Sequence, residues 1–93
     1  MYIVSNKNRT VLYTGVTNNI HRRAFEHKNG VGSKFSSRYN CKDLIYWEFH
    51  DSIVDAIHRE KRIKKWNRAW KEDLIKSMNP EMKDLFDSVE DMQ

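Results

Sequence analysis

The chain has 93 residues, 39% of them hydrophobic and 32% charged, with a net charge of +4 at neutral pH. That length holds one domain with one modest core and leaves no room for a second module. No apolar run approaches the ~18 residues a membrane helix needs, and the first ten residues lack a signal peptide's apolar stretch, so no membrane role is expected.

Tyr2 to Ser5 reads as a strand, Asn6 to Arg9 as a polar turn, and Thr10 to Thr14 as the returning strand of a β-hairpin. Only Met1 precedes Tyr2, and strand ends at termini fray, so Tyr2 is poorly anchored unless something pairs with it. The apolar run Val11-Leu12-Tyr13 breaks at Gly15, and a helix follows from about Asn18 to Lys28, with Thr17 placed to cap it. At ~100° per residue, Ile20, Arg23, Ala24 and His27 share one face of that helix, while Phe25 points elsewhere. Two of those four side chains are cationic or titratable on the side a core would take. Either Arg23 lays its stem along the core edge with its head in water, or strand, turn and helix together scaffold an active site.

Asn29-Gly30 ends the helix in a left-handed exit. Residues 30–42 form a Gly- and Ser-rich loop in which Phe35 and Tyr39 interleave Lys34, Arg38 and Lys42. At about 13 residues it is long for a small domain, which suits either a functional loop or a surface excursion pinned by Phe35. Asp43 to His50 is a third strand, apolar on both faces and therefore central or covered on both sides. Ser52 caps a helix running to about Trp66, with Asp55 three residues on in a variant capping box. Asn67 interrupts, a helix spans about Ala69 to Ser77, and Asn79-Pro80 starts a last short helix. The expected division is a domain over residues 1–80, then a short helix and an acidic tail over 81–93 that frays from Asp84 onward.

Charge is unevenly spread. Residues 56–71 carry seven Lys or Arg against one acid, whereas residues 72–93 carry two against seven. A basic block suits a phosphate-tracking surface, though charge runs are often just solvated helix faces. Arg59, Lys61, Lys64, Lys65 and Arg68 in the block, with Lys34 and Arg38 in the loop, are the candidate nucleic-acid contacts. Three tryptophans and four tyrosines add rings able to stack on bases. Cys41, the single cysteine, cannot close an internal disulfide, which favours a reducing cytoplasm. No C-x-x-C or H-x-x-x-H spacing points to structural zinc.

Glu60 is the one acid in the basic block, and it falls in the middle of the stripe Ile53, Ala56, Ile57, Ile63. A carboxylate there costs several kcal/mol unless it is paired or bound to a cation. It therefore either pairs with an arginine, Arg23 being a candidate, or holds a divalent metal beside phosphate-binding cations.

Tyr2-Ile3-Val4, Tyr13-Thr14-Gly15 eleven residues later, Arg23 eight beyond Gly15 and His27 four beyond Arg23 resemble the GIY-YIG nuclease superfamily. Arg59-Glu60-Lys61-Arg62-Ile63-Lys64-Lys65-Trp66-Asn67-Arg68 resembles the R-E-K-x-I-K-x-W-x-R segment of its small single-domain bacterial members. The resemblance spans residues 2 to about 80. It implies an α+β fold, with a three-stranded antiparallel sheet flanked by helices, and a one-metal cut in DNA. Tyr2 and Tyr13 would be the signature tyrosines, one of them orienting or deprotonating water. Arg23 would stabilise the scissile phosphate, His27 would fill a position held by histidine or tyrosine, and Glu60 would bind Mg²⁺ or Mn²⁺. The first motif departs as Tyr-Ile-Val, the second has threonine for isoleucine, and Val16 stands where some relatives place lysine. The expected function is a cytoplasmic metal-dependent DNA endonuclease of low sequence specificity, in repair or recombination. The alternatives are a nucleic-acid-binding module with weak catalysis, or a subunit whose protein partner supplies targeting.

Overall fold

Tyr2–Ser5 forms strand β1, and it lies in the middle of the sheet rather than at a loose end. The computed structural model describes residues 1–89. Antiparallel β2 (Leu12–Gly15) pairs with one side of β1 and antiparallel β3 (Asp43–Trp47) with the other, giving the order β2-β1-β3. Pairing on both sides buries all four β1 residues, so Tyr2 is firmly held, contrary to the fraying expected for its position. The hairpin turn closes by Arg9 N–H donating to Asn6 O at 3.0 Å, and the Asn6 side chain accepts from Thr10 and Val11 N–H.

Helices cover both faces, as the sequence implied. Tyr2, Val4 and Leu44 pack with Ala24 of α1 (Ile20–Lys28) and Val89 of α5 (Phe86–Val89). Ile3 and Ile45 on the other face pack with Ile63 of α3 (Ile53–Lys64) and Ile75 of α4 (Arg68–Met78). Each such fully buried isoleucine contributes about 1.5–3 kcal/mol of transfer free energy.

Several boundaries differ from the sequence reading. Asn19 caps α1, accepting from Arg22 N–H at 3.0 Å, while the Thr17 hydroxyl accepts from Asn19 N–H and shapes the lead-in. Residues 30–42 are not one open loop: α2 (Lys34–Arg38) interrupts them, because Ser33 and Ser36 form a reciprocal capping box. β3 is an edge strand, though covered on both faces through Leu44 and Ile45. The inward stripe of α3 is narrower than read, since Ala56 and Ile63 are buried but Ile53 and Ile57 are exposed.

The end of the chain is also tighter. Asn79, buried at the end of α4, donates to Ile45 O and Lys83 O and accepts from Lys83 N–H. That holds Pro80 in a turn, so the last helix begins at Phe86 and not at Pro80. The supposed fraying from Asp84 does not occur through Val89. Asp84 accepts from Leu44 N–H at 3.1 Å and pairs with Lys28, and Leu85 N–H donates to Leu44 O. This segment thereby satisfies backbone groups on the open side of β3. The rest of the acidic tail, residues 90–93, lies outside the described residues.

Candidate active site

The pairing register explains the tyrosine and glycine spacing. Tyr2 sits opposite Gly15 and Val4 opposite Tyr13, so Tyr2, Tyr13 and Gly15 share one face of the sheet. A methyl group on Gly15 would lie 2.5 Å from Tyr2 Cζ, so glycine there is what lets the Tyr2 ring lie across the neighbouring strand. Gly32 does the same for His27, whose Cγ would sit 2.8 Å from an added methyl.

His27 reaches this face from α1, where it and Ala24 are the buried residues of the helix. Its Nε2 lies 2.9 Å from the Tyr2 hydroxyl, and its ring centre is 5.8 Å from that of Tyr13. Arg23, one turn earlier, makes a 3.4 Å ion pair with Glu26 and donates to Gly32 O at 3.3 Å. Arg23 Nε and His27 Nδ1 are buried with no hydrogen-bond partner among the described residues.

Glu60 comes from α3, which packs on β2. Its side chain is 13% exposed and pairs with Lys64 one turn on, whose ammonium also lies 6.0 Å from the centre of the Tyr13 ring. The arginine partner entertained for Glu60 is therefore not Arg23, which pairs with Glu26 instead. Tyr2, Tyr13, Arg23, His27 and Glu60 thus converge at the β2 side of the sheet, from two strands and two helices.

Electrostatics fix the protonation states. Burial, then Tyr13, Glu26 and Glu60, push the Tyr2 hydroxyl far above its ordinary value, with Arg23 only partly opposing them. Burial and the Arg23 guanidinium lower His27 to about 4 against an opposing effect of Glu26, so it is neutral near pH 7. A folded value below the ordinary 6.5 makes stability whole above pH 6.5 and progressively lost as pH falls toward 4. The loss should be about 2 kcal/mol after allowing for screening, and His27→Gln should lack it. Melting curves for both proteins from pH 7 to 4 test this; parallel pH dependences would contradict it.

Lys64 pairs with Glu60, and the other six candidate phosphate contacts divide into two groups. Lys34 and Arg38 are exposed on α2, and Lys61 and Lys65 are exposed at the C-terminal end of α3. Arg59 and Arg68 are engaged by the fold. Arg59 donates to Glu48 at 3.1 Å and lies over Trp66, while Arg68 holds the carbonyls of Arg9 and Thr10. Burial would raise the Glu48 carboxyl, but hydrogen bonds from Tyr46, Arg59 and His50 outweigh it and hold the group below its usual range. Sequence reading missed this network, and it missed Gly32 and the Glu60–Lys64 pair, although the four-residue Glu-to-Lys spacing was a readable signal.

The sequence model of the GIY-YIG catalytic domain matches residues 1–73, which hold all five converging side chains. The chain belongs to the GIY-YIG family. Among its relatives, a UPF0213 protein of Syntrophus aciditrophicus is 42% identical over 82 residues, covering 87% of this chain and 92% of the relative. UPF0213 proteins of Natronomonas pharaonis and Clostridium perfringens are each 40% identical, over 75 and 77 residues. These alignments cover 81% and 83% of this chain, and 87% and 82% of the relatives. No solved structure matches. Membership of this nuclease family agrees with the three-stranded antiparallel sheet and its flanking helices. Among the described residues of this GIY-YIG chain, no helix is long and apolar enough to cross a membrane.

Proposed function

We propose that the chain is a metal-dependent DNA endonuclease of low sequence specificity that works in the cytoplasm, in DNA repair or recombination. The observation that carries this reading is the convergence of two tyrosines, a neutral histidine, an arginine and one carboxylate beside exposed lysines. Hydrolysis of a phosphodiester needs an oriented water, positive charge on the equatorial oxygens and charge stabilisation at the leaving oxygen.

Tyr13 is half-buried where Tyr2 is fully buried, which supports Tyr13 as the tyrosine that orients the attacking water. Tyr2 stays protonated, and its bond to His27 Nε2 fixes both rings. Arg23 keeps a buried Nε without a partner among the described residues, while its guanidinium as a whole is part-exposed and would take the incoming phosphate.

Glu60 is a single hard oxygen donor, and no cluster of three metal-ligating side chains forms among the described residues. That donor set fits Mg²⁺ or Mn²⁺ completed by waters and phosphate rather than a protein cage. Bound there, the ion would supply positive charge to the leaving oxygen. Nicking of supercoiled plasmid and of branched DNA, with and without Mg²⁺ or Mn²⁺, tests the reading. Failure to cut either substrate with either ion would overturn it.

Lys34, Arg38, Lys61 and Lys65 are the proposed phosphate contacts. Four neutralised phosphates predict a fall in duplex affinity of about 100-fold between about 50 and 200 mM salt. Charge reversal at Lys61 and Lys65 should weaken binding to unrelated sequences alike and flatten that slope. Anisotropy titrations across salt measure both effects, and a flat response from the unmodified protein would refute the basic surface.

A further inference from the structure

Phe35 belongs to the site's surroundings but to none of the roles above. Its ring stacks on Tyr13 with centroids 5.8 Å apart and planes 27° from parallel. Tyr39 follows at 4.7 Å, tilted 45° to Phe35. Successive ring contacts therefore link His27 through Tyr13 and Phe35 to Tyr39.

The two outer rings are 46% and 42% exposed, although the segment carrying them is well built. The Ser33–Ser36 capping box fixes the start of α2, Ser37 donates to Gly30 O, and Cys41 N–H donates to Ser36 O at 2.8 Å. Ser36 and Cys41 of the same segment are buried. The rings are presented by a fixed element, and that arrangement gives up part of the free energy that burying them would supply.

Their neighbours are cationic. The Arg38 guanidinium lies 5.7 Å from the Tyr39 ring, Lys34 is exposed one residue before Phe35, and Lys64 flanks Tyr13. Residues 30–42 contain three Lys or Arg and no acid. Part-exposed aromatic rings interleaved with cations match a nucleotide, which offers a flat base and an anionic phosphate together. In a paired duplex both faces of each base are already stacked, so only an unpaired or extruded base can use such rings.

Resting on the nuclease reading, we infer that Phe35 and Tyr39 form a stacking platform for an unpaired base next to the phosphate at Tyr13 and Arg23. The platform selects DNA that carries an unpaired nucleotide beside the cut. Base–aromatic stacking of about 1–3 kcal/mol corresponds to roughly 5- to 150-fold in affinity.

The test is binding without divalent ion, which separates it from catalysis. Anisotropy is measured with a single strand, a fully paired duplex, and the same duplex carrying a one-nucleotide bulge. The proteins are wild type, Phe35→Leu and Phe35→Trp, each with its melting temperature recorded. Wild type should prefer the single strand and the bulge to the paired duplex by tenfold or more. Phe35→Leu should lose that preference with paired-duplex affinity retained, and Phe35→Trp should keep it. A 2-aminopurine at the bulge should be quenched by wild type and not by Phe35→Leu. Equal wild-type affinity for all three DNAs, or an equal loss on all three in Phe35→Leu, would overturn the platform. Plasmid nicking that persisted in that case would leave the nuclease reading standing, whereas absence of any DNA binding would sink both.

Discussion

Glu60→Gln should abolish metal-dependent cleavage and leave the fold standing. The carboxylate is 13% exposed, so its charge is held in a partly dry place where a nearby cation matters more than it would in water. In the protein alone that cation is Lys64, whose own side chain is 52% exposed. A four-residue helical ion pair of this kind is worth only a few tenths of a kcal/mol, so the lysine would yield to a divalent ion bound at Glu60. Glutamine keeps the shape, removes the charge and loses only that weak pair. The melting temperature should therefore change little, and duplex binding should persist because Lys64 is released rather than lost. Removing a metal's charge stabilisation of several kcal/mol should slow cleavage by at least about 100-fold. Plasmid nicking in Mg²⁺ or Mn²⁺, with melting and binding measured on the same preparation, checks all three statements. A mutant that nicks as fast as wild type would mean that Glu60 holds no metal, and the proposed chemistry would fail at its centre.

The near-burial of the Glu60 carboxylate was legible in the sequence because its position conflicts with its neighbours: an acid between Ala56 and Ile63 needs a reason. The face shared by Ile20, Arg23, Ala24 and His27 was legible for a similar reason. Helical period alone places them together, and the structure buries Ala24 and His27. Features that depend on how the elements pack against one another were not legible. Tyr2 looked unanchored because nothing local shows that β3 returns from more than forty residues away to flank β1. The role of Gly32 depends on the His27 ring lying against it, a contact that no local pattern announces.

Local competition defeated other readings. Thr17 and Asn19 are both good caps two residues apart, and the structure uses Asn19 for the helix and Thr17 for the turn before it. Serines in residues 30–42 read as loop composition, yet two of them cap a helix. The tail looked soluble and loose by charge, but Asp84 finds Lys28 and the Leu44 backbone, and Val89 is fully buried.

Arg23→Ala should cut turnover by more than about 100-fold, on the scale of losing one preorganised donor to a developing oxyanion. Its effect on stability should be small. The structure gives Arg23 a 3.4 Å pair with Glu26 and one 3.3 Å bond to Gly32 O, with its side chain and that of Glu26 about 30% exposed. An i,i+3 pair so exposed contributes a few tenths of a kcal/mol, far from the 3–5 kcal/mol that breaking a buried pair costs. Arg23 also helps hold His27 low, so in the alanine variant the histidine should titrate nearer its ordinary range and acid sensitivity should diminish. That shift gives a readout independent of cleavage. Arg23→Lys keeps the charge but loses the planar fork that binds two phosphate oxygens at once, so it should restore only part of the activity. Single-turnover rates, melting temperatures and a histidine titration on each variant separate the roles. A large stability loss with unchanged turnover per folded molecule would make Arg23 a structural residue and remove it from the chemistry.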